Sequence, residues 1–508
     1  MRLMSVAAGA AILAGVAATA GAQQLVENKG IDVIPLPVKF ELKGGTLAAE
    51  KSTPEFRRDP SVPAQGYRLT VTRDGVQVVS SDDDGAFYAR QTLRQLTKAG
   101  GIPCCEIEDA PKYRYRGVMI DEGRHFFGKE AIKRQLDLMA EHKLNFFHWH
   151  LTEDQGWRLE IKSHPELVKW GAKRPASPVR RTWDVEDGVP YGPFYYTQDE
   201  IREVLAYARE RHITVYPEIE MPGHTRAVLA AHPELMCEGQ TMDARTPWTQ
   251  WGICEDVVCL GNPGTLKLFS DVLSEVCDLF KDAPYVHIGG EECTRKHWAK
   301  CAKCQALKRR ENLKNDDEIQ GWFTMQMSKV VHAKGKRLAG WCELSWSGLT
   351  PPKDTLLVSG CGGTGAFTAA GGYETVMAPS EYCYFYFNQG LKDDPYDYGW
   401  FWAGAVTLGQ VYSFFPGYGI PPEHHGKIIG GECHIWSEYT LDPKDLEWKI
   451  WPRGLALAEA LWTGPDILFG INDFVRRAKL RREELVKRGY NAARIEIEGL
   501  PHSQFKER

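Results

Sequence analysis

The run YVHIGGEE ends in two adjacent carboxylates, Glu291 and Glu292. Neighbouring acids in a confined place cannot both ionise easily, so one of them keeps its proton near neutral pH. Most Glu-Glu pairs are solvated surface charges, but this one follows an apolar stretch through Gly289 and Gly290, which points it inward. Similar polar residues end other apolar stretches: Asp121, Arg124 and His125 after RGVMID, His148, His150 and Asp154 around NFFHWHL, and Glu218, Glu220 and His224 after ITVYPEI. Trp341 and Glu343 follow RLAG, Tyr384 lies in CYFYF, and Trp436 and Glu438 close IIGGECHIWSE. Indole faces stack on pyranose rings, while sugar hydroxyls call for ionised acceptors and forked donors such as Arg. A carboxyl that holds its proton can then cleave a glycosidic bond as general acid.

These residues need a frame that brings strand ends together. Eight strand-like segments (RGVMID, NFFHWHL, ITVYPEI, YVHIGG, RLAGW, TLLVSG, ETVMA and IIGGECHIW) alternate with helical patterns such as KEAIKRQLDLMAEHK and QDEIREVLAYARERH. That alternation predicts an α/β fold, a (β/α)8 barrel over residues 111–470, whose chemistry gathers at the C-terminal ends of the strands. Before it, residues 25–110 hold alternating runs such as YRLTVTRDGVQVVSS and an amphipathic GAFYARQTLRQLTKAG, which predict a small α+β domain. Residues 471–508 read as a basic helical tail, solvated and packed on the barrel.

The first residues combine Arg2, an apolar stretch and a small-residue Ala20-Gly21-Ala22 end. This predicts a signal peptide over residues 1–22 and an exported, periplasmic or extracellular protein; an uncleaved anchor is the alternative, weakened by the Ala- and Gly-rich stretch. No later segment reads as a membrane span, and scattered Lys and Arg with a net charge of −5 speak against a nucleic-acid partner. The 13 cysteines are an odd number, so internal bridging leaves at least one unpaired. Export favours structural disulfides or free thiols, but Cys301 and Cys304 form a Cys-x-x-Cys near Cys293 that could be half of a structural zinc site. Cys237, Cys254 or Cys259 could supply a fourth ligand or disulfide partners. No catalytic metal and no cofactor are expected.

In order along the chain, GAFYARQTLRQL, YRYRGVMIDEGRHF, NFFHWHLTEDQGWRLEI, YPEIEMPGH, YVHIGGEE, LAGW, CYFYF and HIWSE resemble the motifs of family 20 glycoside hydrolases, the β-N-acetylhexosaminidases. The resemblance implies an exo-acting enzyme that removes terminal N-acetylhexosamine from glycans with retention, the substrate's own 2-acetamido oxygen serving as nucleophile. By motif position Glu292 is similar to the family's acid/base, Glu291 to the carboxylate that receives the acetamido N–H, and Tyr384 to the hydroxyl that binds the acetamido oxygen. Trp322, Trp341 and Trp436 resemble the walls around the acetamido methyl, although Trp322 at a predicted helix start also suits plain core packing. Arg124 resembles the fork on the 3- and 4-hydroxyls, with a buried pair to Asp121 as the alternative, and Glu438 the acceptor of the outer hydroxyls. Asp154 and His224 resemble supports behind the catalytic pair.

Two positions depart from the family pattern. Glu291 stands where the family usually has Asp, which moves its carboxylate by about 1 Å unless the backbone retracts. Tyr386 stands where an Asp commonly receives the sugar's 4- or 6-hydroxyl, which implies altered tolerance there. Two rival readings follow: a sugar-binding protein without catalysis on the same fold, and an amidohydrolase-like metal site at His148 and His150, for which the further ligands are missing.

Overall fold

In a computed structural model of the chain the described residues are 30–180, 182–242, 245–360, 363–391, 393–398, 404–464 and 470–496. The expected signal peptide lies outside them. The N-terminal domain has strands β1 (Lys39–Leu47), β2 (Pro54–Arg58), β3 (Tyr67–Val71), β4 (Val76–Ser80) and β5 (Ile102–Asp109) in the order β1-β5-β3-β4-β2. Strands β3 and β4 alternate buried and more exposed residues, because one sheet face carries the helix Asp83–Leu96.

The chain then enters a closed barrel of β6 (Tyr115–Asp121), β7 (Phe146–His150), β10 (Thr214–Glu218), β11 (Tyr285–His287), β12 (Arg337–Trp341), β13 (Leu356–Ser359), β14 (Glu374–Met377) and β15 (Ile428–Ile435). A small hairpin, β8 (Thr152–Glu153) and β9 (Gly156–Trp157), sits between the second and third barrel strands. All eight barrel strands fall on the segments that the sequence pattern picks out, and β15 closes the ring by pairing in parallel with β6. All seven residues of β6 and all eight of β15 are buried, since helices cover one side and interior side chains the other. Helix starts are chemically marked: Thr197 caps Gln198–Arg209 in a reciprocal capping box with Glu200.

Buried polar groups tie the domain to the barrel. Asp109, at the end of β5, accepts from Tyr67 Oη (2.6 Å), Lys143 Nζ (2.9 Å) and Trp462 Nε1 (2.8 Å). The helix Ile471–Lys487 is more than a solvated tail: Phe474, Ala478 and Leu485 are buried, and Arg477 forks onto Glu459 at 2.6 and 2.7 Å. Among the described residues there is no disulfide, and twelve cysteines are free and buried. No described helix is long and apolar enough to cross a membrane.

Candidate active site

The carboxylate pair is aimed by an unusual stretch of backbone. Strand β11 is only three residues long, and the chain leaves it through Gly289 and Gly290, both left-handed at φ +65° and +104°. A Cβ on Gly289 would fall 1.8 Å from Glu220 Oε2 and one on Gly290 2.3 Å from Leu344 Cδ2, so neither position accepts a side chain. Glu292 itself sits at φ +47°, a conformation that non-glycine residues rarely hold and that concentrates at functional sites. The turn sends the two carboxylates different ways. The Glu291 side chain is 13% exposed and points toward Glu220, while that of Glu292 is 49% exposed at the cavity mouth.

Behind Glu292 runs a chain of charge. Its Oε2 lies 3.6 Å from His224 Nε2, and His224 Nδ1 lies 2.7 Å from Glu153 Oε1 and 3.0 Å from Asp154 Oδ2. Burial opposes a charged imidazole here, but Glu153 and Asp154 outweigh it and hold His224 well above the usual range, as imidazolium. Asp154 is in turn fixed by the Arg226 amide at 2.9 Å. It supports from behind and does not line the cavity.

The proton of the expected acid pair has a different home. Burial first, then Glu220 and Glu218, push the Glu291 carboxyl well above the ordinary carboxylate range, with His224 pulling the other way. Glu220 is fully buried and shifted upward in the same direction, by burial and then by Glu218. Both Glu220 oxygens and Glu291 Oε2 are buried with no hydrogen-bond donor among the described residues, which disfavours ionising both carboxyls. The like-charge partner of Glu291 is therefore Glu220, contributed by the loop after β10, rather than its sequence neighbour Glu292.

The cavity holds about 570 Å³. At its inner end Arg124, 7% exposed in its side chain, lies 3.2 Å from Asp121 and 3.3 Å from Glu153, with its guanidinium 5.1 Å from the Trp436 ring centre. Arg124 thus makes the buried pair with Asp121 and also lines the cavity. Its Nε and Glu438 Oε2 are buried without a hydrogen-bond partner among the described residues. Trp341 and Trp436 form adjoining walls with ring centres 5.6 Å apart. Tyr384, capping the short helix Ser380–Cys383, lines the cavity beside Tyr386 at 5.8 Å between rings. Burial and then Glu438 raise the Tyr386 phenol well above its usual value, so it stays a neutral hydroxyl.

Trp322 is not part of this assembly. It lies on the helix Asp317–Ala333, partly buried against the hydrophobic core and away from the residues that line the cavity. His148 and His150 lie beneath the floor with carboxylate partners: His148 is 3.0 Å from Glu218 and 3.1 Å from Glu432, and His150 is 2.6 Å from Glu218. Several contributors were not singled out from the sequence. Glu153 stands next to Asp154 in TEDQGW, and Trp183 and Ile253 reach the cavity from long loops without periodicity. Glu343, which the sequence places after RLAGW, also lines it, its carboxyl raised by burial.

Carboxylates and indoles at the C-terminal ends of a closed parallel barrel define a glycoside hydrolase of the (β/α)8 class. The glycosyl hydrolase family 20 catalytic domain matches residues 113–465 and family 20 domain 2 matches residues 51–110, and the chain belongs to glycosyl hydrolase family 20. A β-hexosaminidase of Porphyromonas gingivalis is 36% identical over 507 residues, 89% of this chain and 62% of that protein. A β-hexosaminidase of Akkermansia muciniphila is 34% identical over 90% of each chain. The solved structure of a family 20 exo-β-N-acetylglucosaminidase from Vibrio harveyi, in complex with N-acetylglucosamine, matches at TM-score 0.81 and 29% identity over 91% of this chain and 78% of that one.

Proposed function

We propose that this glycoside hydrolase is an exo-acting β-N-acetylhexosaminidase that releases terminal N-acetylhexosamine from glycans by substrate-assisted retention. The observation that carries the reading is the division of labour between Glu291, buried against Glu220, and Glu292, half exposed beside the His224–Asp154 chain. The exo reading is supported by the difference in side-chain exposure between the sugar-binding and acid residues, 7% for Arg124 and 49% for Glu292. Arg124, which is buried, and Glu438 suit the hydroxyls of a terminal sugar, while Glu292 is half exposed, where the leaving group departs.

In the reaction, the acetamido oxygen attacks the anomeric carbon while protonated Glu292 delivers its proton to the departing glycosidic oxygen. The Tyr384 hydroxyl donates to the acetamido oxygen and orients it, and Trp341 and Trp436 enclose the methyl. Charge developing on the acetamido nitrogen needs an anion. Glu291, once ionised, is that anion and accepts the acetamido N–H. The oxazolinium is then opened by water, with Glu292 as base and its carboxyl restored, so the anomeric configuration is retained.

The N-terminal pattern supports action outside the cytoplasm, on glycans in the periplasm or medium. Turnover of aryl 2-acetamido-2-deoxy-β-glycosides, with retained anomeric configuration in the first product by NMR, tests the reading. Inactivity with intact sugar binding would favour a lectin-like role.

A further inference from the structure

Four cysteines outside the sugar cavity converge from three segments. Cys237 follows the short helical turn Pro233–Leu235, Cys259 precedes the helix Pro263–Leu279, and Cys301 and Cys304 stand at the N-cap and first turn of the helix Ala302–Arg310. All four are buried, and their sulfurs lie within 4.8 Å of one another. The Sγ separations are 3.8 Å for Cys237–Cys304, 3.6 Å for Cys259–Cys301 and 3.5 Å for Cys259–Cys304. A disulfide would hold two sulfurs at about 2.0 Å and leave the pairs apart. Here Cys259 and Cys304 each have two near neighbours, so the sulfurs form one closed set. Corners of a tetrahedron around zinc, with Zn–S of about 2.3 Å, lie about 3.8 Å apart, which matches this spacing.

The surrounding backbone is shaped to the same end. A Cβ on Gly261 would fall 2.2 Å from the Lys303 carbonyl carbon and 2.3 Å from the Cys304 nitrogen, so glycine lets the two cysteine-bearing segments touch. Cys293 is outside the set, its sulfur directed to the Thr294 carbonyl at 3.9 Å.

We infer that Cys237, Cys259, Cys301 and Cys304 form a structural tetrathiolate zinc site that fastens the loop after β11 to the loop after β10. Four sulfur ligands fill the coordination shell, so the ion has no open position for substrate. Binding exchanges four S–H protons, released to solvent, for one Zn²⁺. Both fastened loops border the sugar site: one carries Glu291 and Glu292, and in the other Trp248 N donates to the Asp154 carbonyl at 2.9 Å and Ile253 lines the cavity. Trp298 Nε1 donates to the Val258 carbonyl at 2.9 Å, clamping the two loops beside the cysteines.

Metal analysis of wild-type protein purified without chelator tests this without reference to activity. One zinc per chain is expected, released by p-hydroxymercuribenzoate as four thiols are modified. Cobalt-grown protein should show sulfur-to-cobalt charge-transfer bands of a tetrahedral thiolate site. Cys304→Ser should lose the zinc and melt at lower temperature, whereas Cys277→Ser, outside the cluster, should keep it. Zinc-free protein with four readily alkylated thiols, peptide mapping that finds disulfides among the four, or full zinc in Cys304→Ser would overturn the site.

Discussion

Replacing Glu220 by Gln isolates the contact that separates Glu291 from an ordinary catalytic carboxylate. Glu220 is fully buried and raises the Glu291 carboxyl by its like charge, and Gln keeps its volume while removing that charge. Two like charges about 4 Å apart repel by about 4 kcal/mol at an effective dielectric of 20, equivalent to about three pK units. Part of the burial penalty on Glu291 remains, so its carboxyl should fall by about one to three units in the variant. Because catalysis needs Glu291 ionised, the acid limb of kcat/KM should move to lower pH by that amount. The assay is the pH profile on an aryl N-acetylglucosaminide, read beside thermal melts. The melts have their own sign. The folded pair holds protons that the unfolded chain releases above the ordinary carboxylate range, so its contribution to stability declines as pH rises. Glu220→Gln should lessen that decline. An unshifted acid limb in a folded variant would refute the coupling of Glu291 to Glu220, as would a uniform loss of rate at every pH.

Tyr384→Phe removes the donor to the acetamido oxygen and should lower kcat by about 100-fold with little change in KM, measured on the same substrate. Arg124→Lys keeps the charge but loses the fork held by Asp121 and Glu153, and kcat/KM should drop by at least about tenfold, mostly through KM. Tyr386→Asp should raise discrimination by the 4- and 6-positions, read as rate ratios among N-acetylglucosaminide, N-acetylgalactosaminide and 6-sulfated substrates; identical ratios in both proteins would remove Tyr386 from that role.

The barrel was legible because its eight strands are buried on both sides and stand out as apolar runs, and its polar residues were legible because strand ends face the cavity. Arg124, Trp341, Trp436 and Glu438 could thus be located from position alone. Contacts between distant loops leave no such periodicity. Trp183 and Ile253 therefore carry no signal in the sequence, and of the two readings of Trp322, cavity wall or core packing, the structure has the second. Adjacency in sequence does not identify the charge that acts on Glu291 either. The left-handed glycines swing Glu291 and Glu292 apart, and the like-charge partner of Glu291 comes from a different strand end, at Glu220. The Cys-x-x-Cys was visible, but its remaining sulfurs arrive from residues 237 and 259, which only the fold brings together.

Substrate assistance itself is tested most directly by comparing two aryl β-glycosides that differ only at C2, one with the acetamido group and one with a hydroxyl, on wild-type protein and on Glu292→Gln. The account predicts rapid wild-type turnover of the first and none detectable of the second. It also predicts a loss of about 100-fold or more in kcat for Glu292→Gln. Comparable wild-type turnover of both glycosides would contradict it, because the nucleophile would then have to come from the protein.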